Sequence, residues 1–171
     1  TTITAQYFDP DAPVPTGWYF ESDPAADGWT WIDQDGDGNN WQWVYDAGLT
    51  VYEGLGMMNS QSYINYVGAL TPDNWLVTPT FVGGGSISFY MAGQDPSYAA
   101  EPIGVYVSMD GGATWGDELD YFVGTGEYVQ HTVDLSDYAG LPINVAFRHY
   151  DVTDMFSVNI DAVEVVTGGD T

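Results

Sequence analysis

The chain has no cysteine, no lysine and a single arginine among its 171 residues. Without cysteine it can form neither disulfides nor thiolate metal sites, so its rigidity must come from packing or from a hard cation. Without lysine, 25 acidic side chains face one fixed cation, Arg148, and the formal net charge is −24. A field of that sign repels nucleic acid and anionic membranes, which excludes both as direct partners. No apolar run approaches the length that spans a bilayer, so membrane insertion is not expected. The first residues also lack a basic segment followed by an apolar one. The chain reads as a mature or excised segment. Helical periodicity is missing as well: apolar residues do not recur at three and four, and Gly, Pro, Thr and Trp are frequent.

What is present can fold. The sequence is 44% hydrophobic and 16% aromatic, well above the composition of a disordered acidic chain. Its length suits one domain with a substantial core. Three origins of the acidity compete: offset by bound calcium, a saline habitat, and resistance to trypsin-like proteases, which find one candidate bond after Arg148.

Short alternating runs between turn signals predict an all-β sandwich. The expected strands are Trp18–Glu21, Trp29–Ile32, Trp41–Tyr45, Tyr63–Tyr66, Trp75–Phe81, Ser86–Ala92, Ile103–Met109, Glu127–Asp134, Ile143–Tyr150 and Phe156–Val165. Asp110-Gly111-Gly112 forms a hairpin-type turn, and Gly83-Gly84-Gly85 separates two strands. Residues 1–166 form the single domain, with Thr1–Pro15 an extended lead-in. Residues 167–171 read as a linker or tail of the kind that strings a module into a larger polypeptide.

One loop concentrates the acids. Asp33, Asp35 and Asp37 stand at i, i+2, i+4, with glycines between and after them, then Asn39 and Asn40. That is half of an EF-hand loop, and the spacing points to calcium, which takes six to eight oxygen ligands. The other half is missing: Val44 stands where the bidentate glutamate would be. Further ligands must therefore come from elsewhere in the chain.

In Ile143–His149 the odd positions are apolar, so Val145 and Phe147 face the core and Arg148 faces away. A lone arginine among many acids should be paired with a carboxylate on a neighbouring strand, and Glu101 is the expected partner in a structural ion pair. Catalysis has little support. There is no cysteine and no Gly-x-Ser-x-Gly elbow, and His131 and His149 both sit at core-facing parity. Zinc ligands and phosphate-cradling loops are absent, and no pair of carboxylates stands out for glycoside hydrolysis. The chain is not expected to be an enzyme.

Several segments resemble, in order, the cleaved adhesin domains of the gingipain–haemagglutinin proteins. They are Gly28-Trp29-Thr30 to Ile32-Asp33, Asp35–Trp41, Asp73–Pro79, Ala92–Asp95 with Tyr98, Ala99 and Glu101, Val105–Ser108, Val145–His149 and Asn159–Val165. The resemblance covers the chain from about Phe20 to Val165. It implies a jelly-roll β-sandwich of two antiparallel sheets, calcium-stabilised, serving as a non-catalytic extracellular adhesion module of a surface or secreted multidomain protein. Host or matrix proteins, or glycans at a cell surface, are the partners it implies. The absence of lysine and the high acidity depart from better-known members and bear on partner choice.

In many jelly rolls an acid on the first strand and one on the last meet at a cation, and Glu21 and Asp161 occupy those places here. Asp33, Asp35, Asp37 and Asn39 are thus expected to form one calcium site, which Glu21 and Asp161 either complete or accompany as a second. The alternative function is a carbohydrate-binding module attached to a secreted hydrolase. Such a module would stack sugars on exposed rings among Trp41, Trp43, Tyr45, Tyr63, Tyr66, Tyr98, Trp115 and Tyr121.

Overall fold

Alternation along the strands produces two antiparallel sheets packed face to face as a jelly-roll β-sandwich. A computed structural model describes residues 15–167. Apart from Pro15, the expected lead-in lies outside the described residues, as do residues 168–171 of the expected tail.

In chain order the strands are β1 (Pro15–Trp18), β2 (Thr30–Asp33), β3 (Gln42–Tyr45), β4 (Gly56–Gln61), β5 (Tyr63–Ile64), β6 (Gly68–Ala69) and β7 (Asn74–Val77). They continue with β8 (Phe81–Val82), β9 (Gly84–Gly93), β10 (Pro102–Ser108), β11 (Asp120–Val123), β12 (Val129–Asp134), β13 (Pro142–His149) and β14 (Ser157–Thr167). One sheet runs β12-β9-β14-β4-β3, with β1 beside the second half of β14. The other runs β11-β10-β13-β7-β2, with β8 beside the start of β13. A small β5–β6 ribbon stands apart. Among the described residues the helical segments are three short 3-10 turns, and no helix is long and apolar enough to cross a membrane.

The core lies between the sheets. Ile87, Phe89 and Met91 of β9 face Ile103, Val105 and Val107 of β10 and Ile143, Val145 and Phe147 of β13 within one buried cluster. Inward parity on β14 changes along the strand, from Val158 and Ile160 to Val163 and Val165. A bulge between Asp161 and Glu164, with Ala162 at φ 47°, makes the change.

Three differences from the expected strands have physical reasons. First, β4 was not foreseen, because Gly56–Ser60 is buried on both faces and shows no alternation. Its outer face lies under the 46–55 loop, where the Tyr128 hydroxyl donates to the Thr50 carbonyl and contacts Met57 Sδ. Second, the first strand ends at Trp18 rather than Glu21, since Phe20 takes φ 58° and turns the chain. Third, β14 continues through Thr167, which pairs with Gly84, so the strand includes the first residue of the expected tail. The Asp110-Gly111-Gly112 turn does lie within the β10–β11 hairpin, both glycines having positive φ.

Candidate functional site

The acidic loop leaves β2 in one sheet and enters β3 in the other, so it bridges the two layers. Asp33, Asp35 and Asp37 gather there with ligand oxygens all within 4.8 Å of one another. Backbone donors orient them. Gly36 N and Gly38 N donate to the two Asp33 oxygens at 3.1 and 2.8 Å, and both glycines have positive φ. Asp73 N donates to Asp35 Oδ1 at 3.2 Å, and Asn39 N to Asp37 Oδ1 at 2.7 Å. Burial, with Asp33 and Asp37 close by, pushes the Asp35 carboxyl up to about 6. Three crowded carboxylates with no basic side chain among them suit a hard divalent ion.

Glu21 and Asp161 lie elsewhere. The only such group of three or more acids among the described residues contains neither. Both instead reach the segment that leads into β4. Leu55 N and Gly56 N donate to the Glu21 carboxylate at 3.1 and 3.2 Å. Glu53 N donates to Asp161 Oδ2 at 3.1 Å, and Ala162 N to Oδ1 at 2.7 Å. The loop that covers β14 leaves Asp161 with no exposed surface. Burial pushes its carboxyl up to about 7, and the charges of Glu53 and Glu21 add to the effect. Gly54, beside the Glu21 carboxylate, takes φ 60°, a left-handed conformation that favours glycine. A buried acid raised by two neighbouring acids also suits a cation. Of the two arrangements expected from the sequence, Glu21 and Asp161 do not complete the Asp33–Asp37 group.

The expected pair of Arg148 with Glu101 is not formed. Arg148 makes a two-pronged contact with Asp73, Nε to Oδ1 at 2.7 Å and Nη2 to Oδ2 at 3.0 Å. Its guanidinium also lies against the rings of Trp75, Tyr106 and Tyr150. The reason is strand parity. Arg148 faces outward and His149 inward, and Glu101 lies on the inward side. There Glu101 Oε2 contacts His149 Nε2 at 2.6 Å, while Oε1 accepts from Ser62 Oγ at 2.6 Å and Phe156 N at 2.8 Å. His149 Nδ1 meets Ser60 Oγ at 2.6 Å. With Nε2 donating to the carboxylate, Nδ1 accepts from the serine. This Ser–His–Glu chain has the connectivity of a hydrolase triad. Ser60, His149 and Glu101 are nevertheless all fully buried, so no substrate reaches the serine. His131 is half-buried, stacked on Phe122 at 4.1 Å, and its burial lowers its pKa.

In front of the buried network lies an open cleft of about 490 Å³, walled by Tyr63, Tyr98 and Phe156 and rimmed by Asn65, Asp95 and Asp154. Tyr63 and Tyr98 were among the aromatics offered for stacking. Several of the others are engaged elsewhere: Trp41 is buried and donates to the Asn74 carbonyl, Trp43 donates to the Phe20 carbonyl, and Trp115 packs on Trp75. Asp95, Asp154 and Phe156 were not foreseen as cleft residues. They come from two separate segments, and only the motif around Gln94-Asp95 hinted at one of them.

The whole frame has known counterparts. A crystal structure of the K1 cleaved adhesin domain of Lys-gingipain from Porphyromonas gingivalis superposes with a TM-score of 0.81 at 35% identity, over 91% of this chain and 99% of that one. The K3 cleaved adhesin domain of the same protein gives 0.79 at 38%, over 92% and 99%. A xylan-binding domain from Paenibacillus barcinonensis shares only the fold, with a TM-score of 0.59 at 12% identity, covering 94% of this chain and 98% of that one. Among full-length proteins of P. gingivalis, haemagglutinin A is 38% identical over 133 residues, 66% of this chain and 5% of that protein. Gingipain R1 is 35% identical over 142 residues, 71% of this chain and 8% of that protein. The chain therefore spans less than a tenth of these two relatives, yet covers nearly the whole of the K1 and K3 domains of Lys-gingipain. The sequence profile of the Cleaved Adhesin Domain family matches residues 15–125 and 117–165, and the chain belongs to that family.

Proposed function

We propose that the chain is a non-catalytic adhesion module, held outside the cell within a larger polypeptide and stabilised by structural calcium. Membership of the cleaved adhesin family carries this reading, since relatives match it as one small part of a long chain. Burial of the one Ser–His–Glu chain supports a binding role over a catalytic one. Calcium would be held at two places: at Asp33, Asp35 and Asp37 with Asn39 alongside, and at Glu21 and Asp161 with Glu53 near them. With no disulfides, such ions would fasten the sheet-bridging loop and cover the outer face of β14. The partners would be host or matrix proteins, or glycans, at a cell surface.

The test has two arms. In melts, excess calcium should raise the midpoint several degrees over the chelated chain, and Asp35→Asn with Asp37→Asn should remove part of that gain. Coincident curves at low salt would remove calcium from the proposal. In an array of host proteins and glycans, protein ligands retained only with calcium present would support the adhesion reading. The second reading, a carbohydrate-binding module of a secreted hydrolase, is favoured by the cleft where Tyr63 and Tyr98 stand beside polar side chains. Capture of free polysaccharides alone, with neither host protein nor cell-surface glycan retained, would favour that reading instead.

A further inference from the structure

The 490 Å³ cleft combines aromatic walls with a floor fixed from behind. Tyr98 is half exposed, and Tyr63 packs on Phe156 with ring centres 6.5 Å apart. Phe156 N donates to the buried Glu101 carboxylate, Met155 N to Ser62 Oγ at 3.2 Å, and Asp154 N to the Ser62 carbonyl at 3.0 Å. The Ser60–His149–Glu101–Ser62 network thus anchors the segment that forms one wall. A buried polar network of this kind sets one conformation, as a preformed recognition site requires.

The rim carries two carboxylates and no cation. Asp95 spends one oxygen on Ser97 N at 2.9 Å, and Asp154 is exposed. The chain's only arginine is held by Asp73 on the outer face of the other sheet, and there is no lysine. Aromatic faces beside unneutralised carboxylates form the surroundings that bind a guanidinium or an ammonium group. A neutral sugar could stack on the same rings, but the field of a −24 chain favours only a cation.

Resting on the adhesion reading above, we propose that this cleft captures an arginine or lysine side chain of a partner protein. The ring faces would hold the cation, and Asp95 and Asp154 would accept its N–H donors. Arginine is the better fit, being planar and able to stack while bridging two carboxylates.

The test is an NMR titration of the full chain with Nα-acetyl-arginine methylamide, its lysine and citrulline counterparts, and simple methyl glycosides. Citrulline has nearly the shape of arginine without its charge. The arginine derivative should bind saturably, with shifts centred on Tyr63, Tyr98 and Phe156. Citrulline should bind at least ~10-fold more weakly. Asp95→Asn and Asp154→Asn should each weaken arginine binding ~5–10-fold. Both substitutions preserve the fold, because asparagine keeps the Asp95 cap and tolerates the positive φ of Asp154. Affinity should also fall as salt rises towards ~0.15 M.

Equal binding of arginine and citrulline, or no saturable shift, would overturn the proposal. So would glycoside binding that both variants leave unchanged. Failure here, with host-protein capture intact in the array, would refute the cleft's role and leave the adhesion reading standing. Arginine binding at the cleft without any host-protein capture would do the reverse.

Discussion

Arg148 and His149 are sequence neighbours on opposite faces of β13, and that parity selects both of their acidic partners. Asp73 precedes β7, the strand beside β13, and meets Arg148 on the outer face; Glu101 meets His149 inside. A double-mutant cycle on Arg148→Met and Asp73→Asn should therefore show coupling of about 1–2 kcal/mol, since the pair is bidentate and partly buried. The cycle pairing Arg148 with Glu101 should be additive within ~0.5 kcal/mol. Glu101→Ala should destabilise by about 3–5 kcal/mol in urea unfolding, because it strands His149 Nε2, Ser62 Oγ and Phe156 N in the core. Additivity for Arg148 with Asp73 would refute the assignment. Composition made it legible that the only arginine would find an acid on a neighbouring strand. Which acid it finds depends on strand register, and periodicity along a single strand carries no such information.

The same limit shows at the scale of elements. The acidic loop was readable because its three aspartates are local, and a turn with two positive-φ glycines brings them together. β4 was not, because its cover is the 46–55 loop, which approaches from outside the sheet and removes the alternation a reader needs. Convergence of Glu21 and Asp161 on residues 53–56 depends on the same loop and on the bulge in β14. Ala162 at φ 47° flips the inward parity there and is itself nearly buried. Ala162→Gly should stay within ~0.5 kcal/mol of the parent, relief of the left-handed backbone offsetting the lost methyl burial. Ala162→Val places a branched side chain at the same φ and should lose about 2–3 kcal/mol. If the bulge aims Asp161 at a cation, the Val variant should also lose part of the calcium-dependent gain in melting, while the Gly variant keeps it. Equal gains in both would separate the bulge from calcium.

For the molecule as a whole, the open question is what so much negative charge does. The two calcium ions proposed above would offset only a small part of −24, so self-repulsion would remain in a calcium-loaded chain. Screening reaches a Debye length of ~10 Å at 0.1 M salt and shortens as salt rises. The calcium-saturated chain should therefore still gain stability with added NaCl or KCl, by about 1 kcal/mol or a few degrees, levelling off once the screening length is short. The chelated chain should gain more, because the crowded Asp33–Asp35–Asp37 carboxylates and the buried Asp161 would then lack a cation. On the proposal above calcium would act by binding, and should then work at concentrations far below those at which either salt screens. Melting curves over a salt series, with calcium and with chelator, separate the two effects. A calcium-loaded chain indifferent to salt would mean that its acids are too dispersed to strain the fold, and that their number serves steering of a cationic partner rather than balance of the folded state.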